Sequence, residues 1–243
     1  MKTKVKLFRF DPSKDATPRY ELYEVPYEKG DRVLDVLRYI HEELGVDVAF
    51  RYACRSRFCG TCGVLVNGKP ILACWEEVLP KMVIEPLPNF PIIKDLVIDR
   101  SFYDEKIQKV YPNIISDEQR FDNITFENFP KLEPKKMNDV IYSQQCLGCL
   151  LCVAACRTTH SDPKFLGPAS LMAAYRVCAD PRDEGRDLRL DIIDDKKGCW
   201  HCHYVFSCVD VCPMGLSPPL AISKLRMMIL LKKIKKIKDL LRR

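Results

Sequence analysis

The chain has 243 residues, 47% of them hydrophobic, so one large domain or two ordinary ones can bury a core without disulfide staples. Thirteen cysteines far exceed ordinary usage, yet the opening MKTKVKLFRF alternates charge with apolar residues and shows no secretory signal; a secreted disulfide framework gives way to metal-bound thiolates in a reducing cytoplasm. The net charge of +6 is concentrated in residues 224–243, KLRMMILLKKIKKIKDLLRR, where nine Lys or Arg face one Asp; the other 223 residues sum to −2, which argues against uniform nucleic-acid binding.

In chain order, KVKLFRF (Lys4 to Phe10) and YELYEVPY (Tyr20 to Tyr27) alternate as strands, separated by a Pro/Asp/Ser turn. Asp31 is the expected N-cap of a helix whose apolar positions are Val33, Leu34, Leu37, Ile40 and Leu44. After a cysteine loop comes GVLVNGKPILAC, in which Asn67-Gly68 between apolar runs predicts a hairpin. These elements imply a small mixed sheet with one helix across it. The stretch from about Leu87 to Lys136 is proline-rich and lacks cysteine, and a domain boundary is expected near residue 105, dividing 1–105 from 106–243. From Asn138 onward the pattern is helical: QCLGCLLCVAAC, then ASLMAAYRVCAD, then the basic amphipathic run. Two cysteine-rich loops bracket the middle helix, a two-fold ferredoxin arrangement in outline. No apolar run reaches the roughly 18 residues that suggest a membrane span.

Cys54, Cys59, Cys62 and Cys74 follow C-x4-C-x2-C plus one, the plant-type spacing for a 2Fe–2S cluster, whose two irons need two thiolates each. Gly60 and Gly63, with Thr61, allow backbone N–H groups to approach the sulfurs. Zinc and a buried thiol cluster are the alternatives, though zinc modules favour paired C-x2-C units. Cys146, Cys149, Cys152 and Cys156 follow C-x2-C-x2-C-x3-C, the bacterial ferredoxin run whose fourth cysteine serves the other cluster. By that crossover, Cys212 completes a 4Fe–4S site with Cys146, Cys149 and Cys152, while Cys156 joins Cys202 and Cys208. Val205 stands where a middle cysteine would sit, so the last site offers three thiolates and suits a 3Fe–4S cluster. Cys199 either reaches the edge of that cluster or is a small buried residue; Cys178 reads as core.

These three sets, in this order, resemble the iron–sulfur subunit of succinate dehydrogenase and fumarate reductase. The likeness extends to FRYACRSRFCGTCGVLVNGKPILAC, IEPLPNFPIIKDLVID, FLGPASLMAAYR, DPRDEGRDLRL and CVDVCPMGLSP, and runs from Val5 to Leu230. The resemblance implies an α+β architecture: a β-grasp 2Fe–2S ferredoxin domain, then an all-α domain of bacterial-ferredoxin type carrying two clusters. It implies no bond-making residues in this chain. Electrons would pass from FAD on a flavoprotein partner through the 2Fe–2S, 4Fe–4S and 3Fe–4S clusters to quinone at a membrane anchor subunit. The expected location is peripheral, on the cytoplasmic side of a prokaryotic cell membrane, with no nucleic acid among the partners.

His203 matches a family histidine near the quinone, and Val205 an apolar neighbour. The sequence departs from the family after Cys156: Arg157-Thr158-Thr159-His160-Ser161 has neither the proline nor the tryptophan of many members. His160 and Trp200 are substitutes for a proton donor and a stacking ring, or else packed or solvated residues. That departure keeps open a fumarate reductase with a thiol or other non-quinone donor, beside a freestanding ferredoxin-like carrier and a non-redox zinc protein with a nucleic-acid-binding tail. The last helix reads as contact with acidic lipid headgroups or an acidic anchor subunit, or as a solvated basic cap.

Overall fold

The computed structural model describes residues 1–116, 125 and 133–242. Strands β1 (Lys2–Arg9) and β2 (Arg19–Pro26) form where the sequence alternates; in β1 Thr3, Val5 and Leu7 are buried while Lys2, Lys4 and Lys6 are exposed. β1 pairs antiparallel with β2 and parallel with β5 (Lys81–Glu85). β3 (Gly63–Val66) joins antiparallel to β5, and β4 (Lys69–Leu72) closes the order β2-β1-β5-β3-β4. Helix α1 (Val33–Glu42) lays Val33, Leu34, Val36, Leu37 and Ile40 against this sheet. A mixed five-stranded sheet gripping one helix is the β-grasp arrangement. Asn67 and Gly68 take φ of +49° and +80° at the hairpin, where the left-handed region is required at both turn positions.

Asp31 is not the N-cap. Arg32 holds that position, its N–H donating to the Asp35 carboxylate at 2.9 Å, while Asp31 accepts from the Glu28 N–H at 2.8 Å and closes the preceding turn. Leu44 lies beyond the helix and is exposed. The carboxylate three residues inside the helix satisfies the entrance, which frees Asp31 for the turn.

A two-stranded ribbon, β6 (Ile92–Lys94) and β7 (Val97–Ile98), leads into α2 (Ser101–Lys109), which spans residue 105. Its Tyr103 is buried in a cluster with Leu150, Val153 and Ala169, and its Lys106 is buried too, donating from Nζ to the Phe165 carbonyl at 2.7 Å. Burial pulls the Lys106 ammonium down to about 8. The passage between the two halves is thus a packed helix. Most of the proline-rich segment beyond residue 116 lies outside the described residues.

The second half contains α3 (Pro134–Gln144), α4 (Leu151–Ala154), α5 (Arg157–Ser161), α6 (Gly167–Cys178), α7 (Arg186–Ile193), a 3₁₀ turn (Cys199–His201), α8 (Ser207–Asp210) and α9 (Pro218–Leu241). Its core packs Leu171, Ala174 and Cys178 of α6 against Leu190 and Ile193 of α7 and Ile222, Leu225 and Ile229 of α9. Arg189 is fully buried, paired with Asp183 at 2.6 Å and donating to the carbonyls of Tyr111 and Asn113. An unpaired guanidinium there would be untenable, so this network fixes the segment after α2 against α7.

Candidate metal centres

The loop from Cys54 to Cys62 is built around sulfur. Arg55, Arg57 and Gly60 take φ of +55°, +59° and +70°, which turns successive N–H groups inward. The amides of Ser56, Phe58 and Cys59 donate to Cys54 Sγ at 3.4, 3.3 and 3.2 Å. These hydrogen bonds draw the Cys54 thiol down to about 6. Cys62 and Cys74 sit inside, 4% and 6% exposed, joined across the β3–β4 hairpin by the Ala73 N–H to Cys62 carbonyl bond at 3.0 Å. Burial, with Cys74 adjacent, drives the Cys62 thiol up to about 12. The four thiols therefore divide into an outer pair, Cys54 and Cys59, and an inner pair, Cys62 and Cys74.

In the helical half, Gly148 and Leu150 take positive φ and wrap the chain from Cys146 into α4. Cys146, Cys149, Cys152 and Cys212 line one cavity with Leu150, Met172 and Leu216. Burial raises the thiols of Cys146, Cys149 and Cys152, and each is also raised by Cys212. The Leu216 N–H donates to Cys212 Sγ at 3.2 Å. A second cavity is lined by Cys156, Cys202 and Cys208 together with His203, Tyr204, Val205 and Phe206. Burial raises Cys202 and Cys208, the latter to about 12, and Cys156 adds to both. Among the described residues no group of three or more His, Cys, Asp or Glu converges on a single point as one metal ion requires. The thiols instead surround two cavities, four around one and three around the other, a donor set and spread that fit multi-iron clusters.

The first loop abuts the second. A Cβ on Gly60 would lie 2.9 Å from Cys149 Cβ and 3.1 Å from the Leu147 carbonyl oxygen; one on Gly63 would meet Leu87 at 2.9 Å and Leu151 at 3.3 Å. Leu151 and Ala154 belong to the core of the sheet half.

Family models match in the same order: a 2Fe-2S iron-sulfur cluster binding domain over residues 4–105 and a 4Fe-4S dicluster domain over residues 138–213. The fumarate reductase iron-sulfur subunit of Haemophilus influenzae is 36% identical over 232 residues, covering 90% of each chain. This chain belongs to the iron–sulfur subunits of succinate dehydrogenase and fumarate reductase. The succinate dehydrogenase iron-sulfur subunit of Paracoccus denitrificans is 34% identical, over 91% of this chain and 86% of its own. In fold the subunit is similar to a chain of the Mycobacterium smegmatis Sdh1 complex in the apo form, with a TM-score of 0.84 and 23% identity over 96% and 97% of the two chains. As a member, it is an electron-transfer subunit of an oxidoreductase complex.

Of the two readings that the sequence leaves open for Cys199, His160 and Trp200, the structure of this iron–sulfur subunit favours the one without a cluster or quinone role. Cys199 is fully buried and lines neither cavity; its carbonyl accepts from Arg226 at 2.7 and 3.0 Å. His160 bonds through Nδ1 to Asn89 at 2.9 Å, and Trp200 donates to Asp194 at 2.7 Å; neither lines the three-thiol cavity. Arg226 was hidden in the basic tail. It also donates to the Cys202 carbonyl at 2.9 Å and stacks over Trp200 and Tyr204, so it clamps the last cysteine loop to α9. Asn89 was missed as well: its amide donates to the Val153 and Ala154 carbonyls and ties the sheet half to α4. No spacing rule reveals contacts between residues so far apart in sequence.

The low Cys54 value has a direct readout. In the metal-stripped chain at pH 7, iodoacetamide is expected to label Cys54 several-fold faster than Cys62, with half-maximal rate near pH 6; mass spectrometry that finds the two equally reactive would remove the loop's hold on that thiolate.

Proposed function

We propose that this subunit relays single electrons between an FAD-bearing flavoprotein and quinone at a membrane anchor. The relay uses a 2Fe–2S cluster on Cys54, Cys59, Cys62 and Cys74, a 4Fe–4S cluster on Cys146, Cys149, Cys152 and Cys212, and a 3Fe–4S cluster on Cys156, Cys202 and Cys208. The observation that carries this reading is the segregation of seven thiols around two cavities, four and three, with Val205 in the wall of the second. When bound, such clusters take up and release one electron at a time without bond-making by the protein.

The chain's own contribution is to hold the ligands and set the electrostatics. Backbone donors to Cys54 stabilise its thiolate. Burial of Cys62, Cys146, Cys149, Cys152, Cys202 and Cys208 makes their thiolate forms costly without metal, so loading releases protons and strengthens with pH. Around the three-thiol cavity, His203, Val205 and Phe206 are exposed, which gives an amphipathic quinone ring an apolar face and an imidazole. We further propose 1–105 and 106–243 as the two domains, and a peripheral position on the cytoplasmic side; among the described residues no helix is long and apolar enough to cross a membrane.

Electron paramagnetic resonance of the oxidised complex tests the cluster set. A three-iron signal that disappears on one-electron reduction is expected. Its absence, with iron analysis giving four irons at the last site, would overturn the three-ligand assignment. Assays with quinone analogues against dithiols then test the acceptor: turnover with dithiols alone would replace quinone in this scheme.

A further inference from the structure

Helix α9 buries one face and leaves a second apolar face bare. Ala221, Ile222, Leu225 and Ile229 are buried against α6 and α7. Met227, Leu230, Ile234, Ile237 and Leu241 are all exposed, from 46% to 83%. Their alternating spacing of three and four residues puts them on one stripe, and at 100° per residue that stripe lies on the side of the helix turned away from the buried face. The distal half, Leu230 to Leu241, extends about 18 Å.

Charge decides what suits this stripe. Lys232 and Lys233 are engaged by Asp191 of α7 and by Asp194 just beyond its end. Lys235, Lys236, Lys238 and Arg242 form no ion pair among the described residues, and Asp239 is the one acidic residue among the last twenty of the chain. Lys238 and Arg242 border the stripe on one side and Lys233 on the other. A second copy of the same helix would bring like charges together along both edges, which opposes self-pairing through this seam. A surface of anionic headgroups accepts the apolar stripe and the lysines together, because lysine stems lie along apolar surface while their ammonium groups reach outward.

We propose that the distal half of α9 is an interfacial helix that lies in the plane of an anionic lipid surface. Leu230, Ile234, Ile237 and Leu241 enter the acyl boundary, and Lys235, Lys238 and Arg242 contact phosphate. The inference goes beyond the electron-relay reading and does not depend on it. It also orients the molecule: Tyr204 and Ser223 hydroxyls lie 3.1 Å apart, so the loop bearing Val205 and Phe206 is fastened to the same helix.

The test is flotation of the complete, cluster-loaded chain with vesicles of phosphatidylcholine, with and without phosphatidylglycerol. Binding is expected to need phosphatidylglycerol and to fall with salt. The Lys235→Gln/Lys238→Gln/Arg242→Gln variant is expected to lower the partition coefficient about a hundredfold, and Ile234→Asp/Ile237→Asp to abolish binding. All five positions are exposed, and unchanged visible absorption of the clusters reports that each variant is folded. Equal partition into both vesicle types, or undiminished binding by the charge variant, overturns the proposal. Flotation only when an integral anchor subunit is present also overturns it, since the stripe's partner is then protein. Each of these failures leaves the cluster signals, and hence the relay reading, untouched.

Discussion

Replacing Val205 with cysteine is expected to turn the three-thiol site into a four-thiol one. Val205 lines the cavity shared by Cys156, Cys202 and Cys208, and it is held between Tyr204 and Phe206, whose φ values of +55° and +66° fix the loop independently of the residue between them. A thiolate there supplies the ligand that a fourth iron needs. Added thiolate charge and the change of cluster type should lower the midpoint potential by about 100 mV or more. At 59 mV per tenfold for one electron, that disfavours reduction of this centre by roughly fiftyfold. Redox-poised EPR should show loss of the oxidised-state three-iron signal, and succinate–quinone turnover should drop with it. Val205→Ser, of similar size and with no thiolate, should keep the signal. A persistent three-iron signal in Val205→Cys would mean that side chain does not reach the cluster, and that the missing ligand must be sought elsewhere in the loop.

Gly167→Ala is expected to be strongly destabilising for a change of one methyl group. Gly167 opens α6 with φ +85°, and a Cβ there would stand 1.5 Å from Tyr103 Oη and 2.7 Å from its ring. Neither partner can yield cheaply, since Tyr103 is 1% exposed and packed against Phe90, with ring centroids 5.8 Å apart. Left-handed backbone costs alanine about 1–2 kcal/mol, and overpacking about 1–3 more. A total near 3–4 kcal/mol translates to a fall in Tm of roughly 10 °C for a chain of this length. Among the described residues the buried Tyr103 hydroxyl makes no well-formed hydrogen bond, Thr159 being its polar neighbour, so Tyr103→Phe alone should be nearly neutral. Combined with Gly167→Ala it should recover part of the loss, because the phenol oxygen is the nearest obstacle. Additive effects in that double-mutant cycle would show that backbone strain, not the tyrosine, carries the cost.

The cysteine sets were legible because each is local in sequence and its spacing is dictated by the geometry of thiolate loops. The grouping of Cys212 with Cys146, Cys149 and Cys152 around one cavity needs one non-local step in sequence, and the proposed three-iron reading of the other cavity rests on Val205 standing in its wall. The sheet was equally legible from alternation and from Asn67-Gly68. The roles of the glycines were harder. Gly60 and Gly63 suggested room for N–H groups to approach sulfur, yet the donors to Cys54 come from Ser56, Phe58 and Cys59, and the glycines instead admit Cys149, Leu87 and Leu151. Such a close approach depends on a partner some ninety residues away, which no local pattern encodes. Asp31 lost its capping role to Asp35 for the opposite reason: two carboxylates competed locally, and either satisfied the rule. Arg226 shows a third limit, since a cation that clamps two carbonyls reads the same in sequence as the solvated lysines beyond it.

The seam at Gly60 bears on how far the two halves are interchangeable. Ferredoxin-like units invite grafting, because each has its own core and its own cysteine loop. Here the first loop carries no side chain at the point where it meets Cys149, and Leu151 and Ala154 of the second half complete the first half's core. A foreign N-terminal unit would need a glycine at the same spot and a hollow of leucine size behind it. Lineages are therefore expected to exchange this subunit whole, with its two halves inherited as one part.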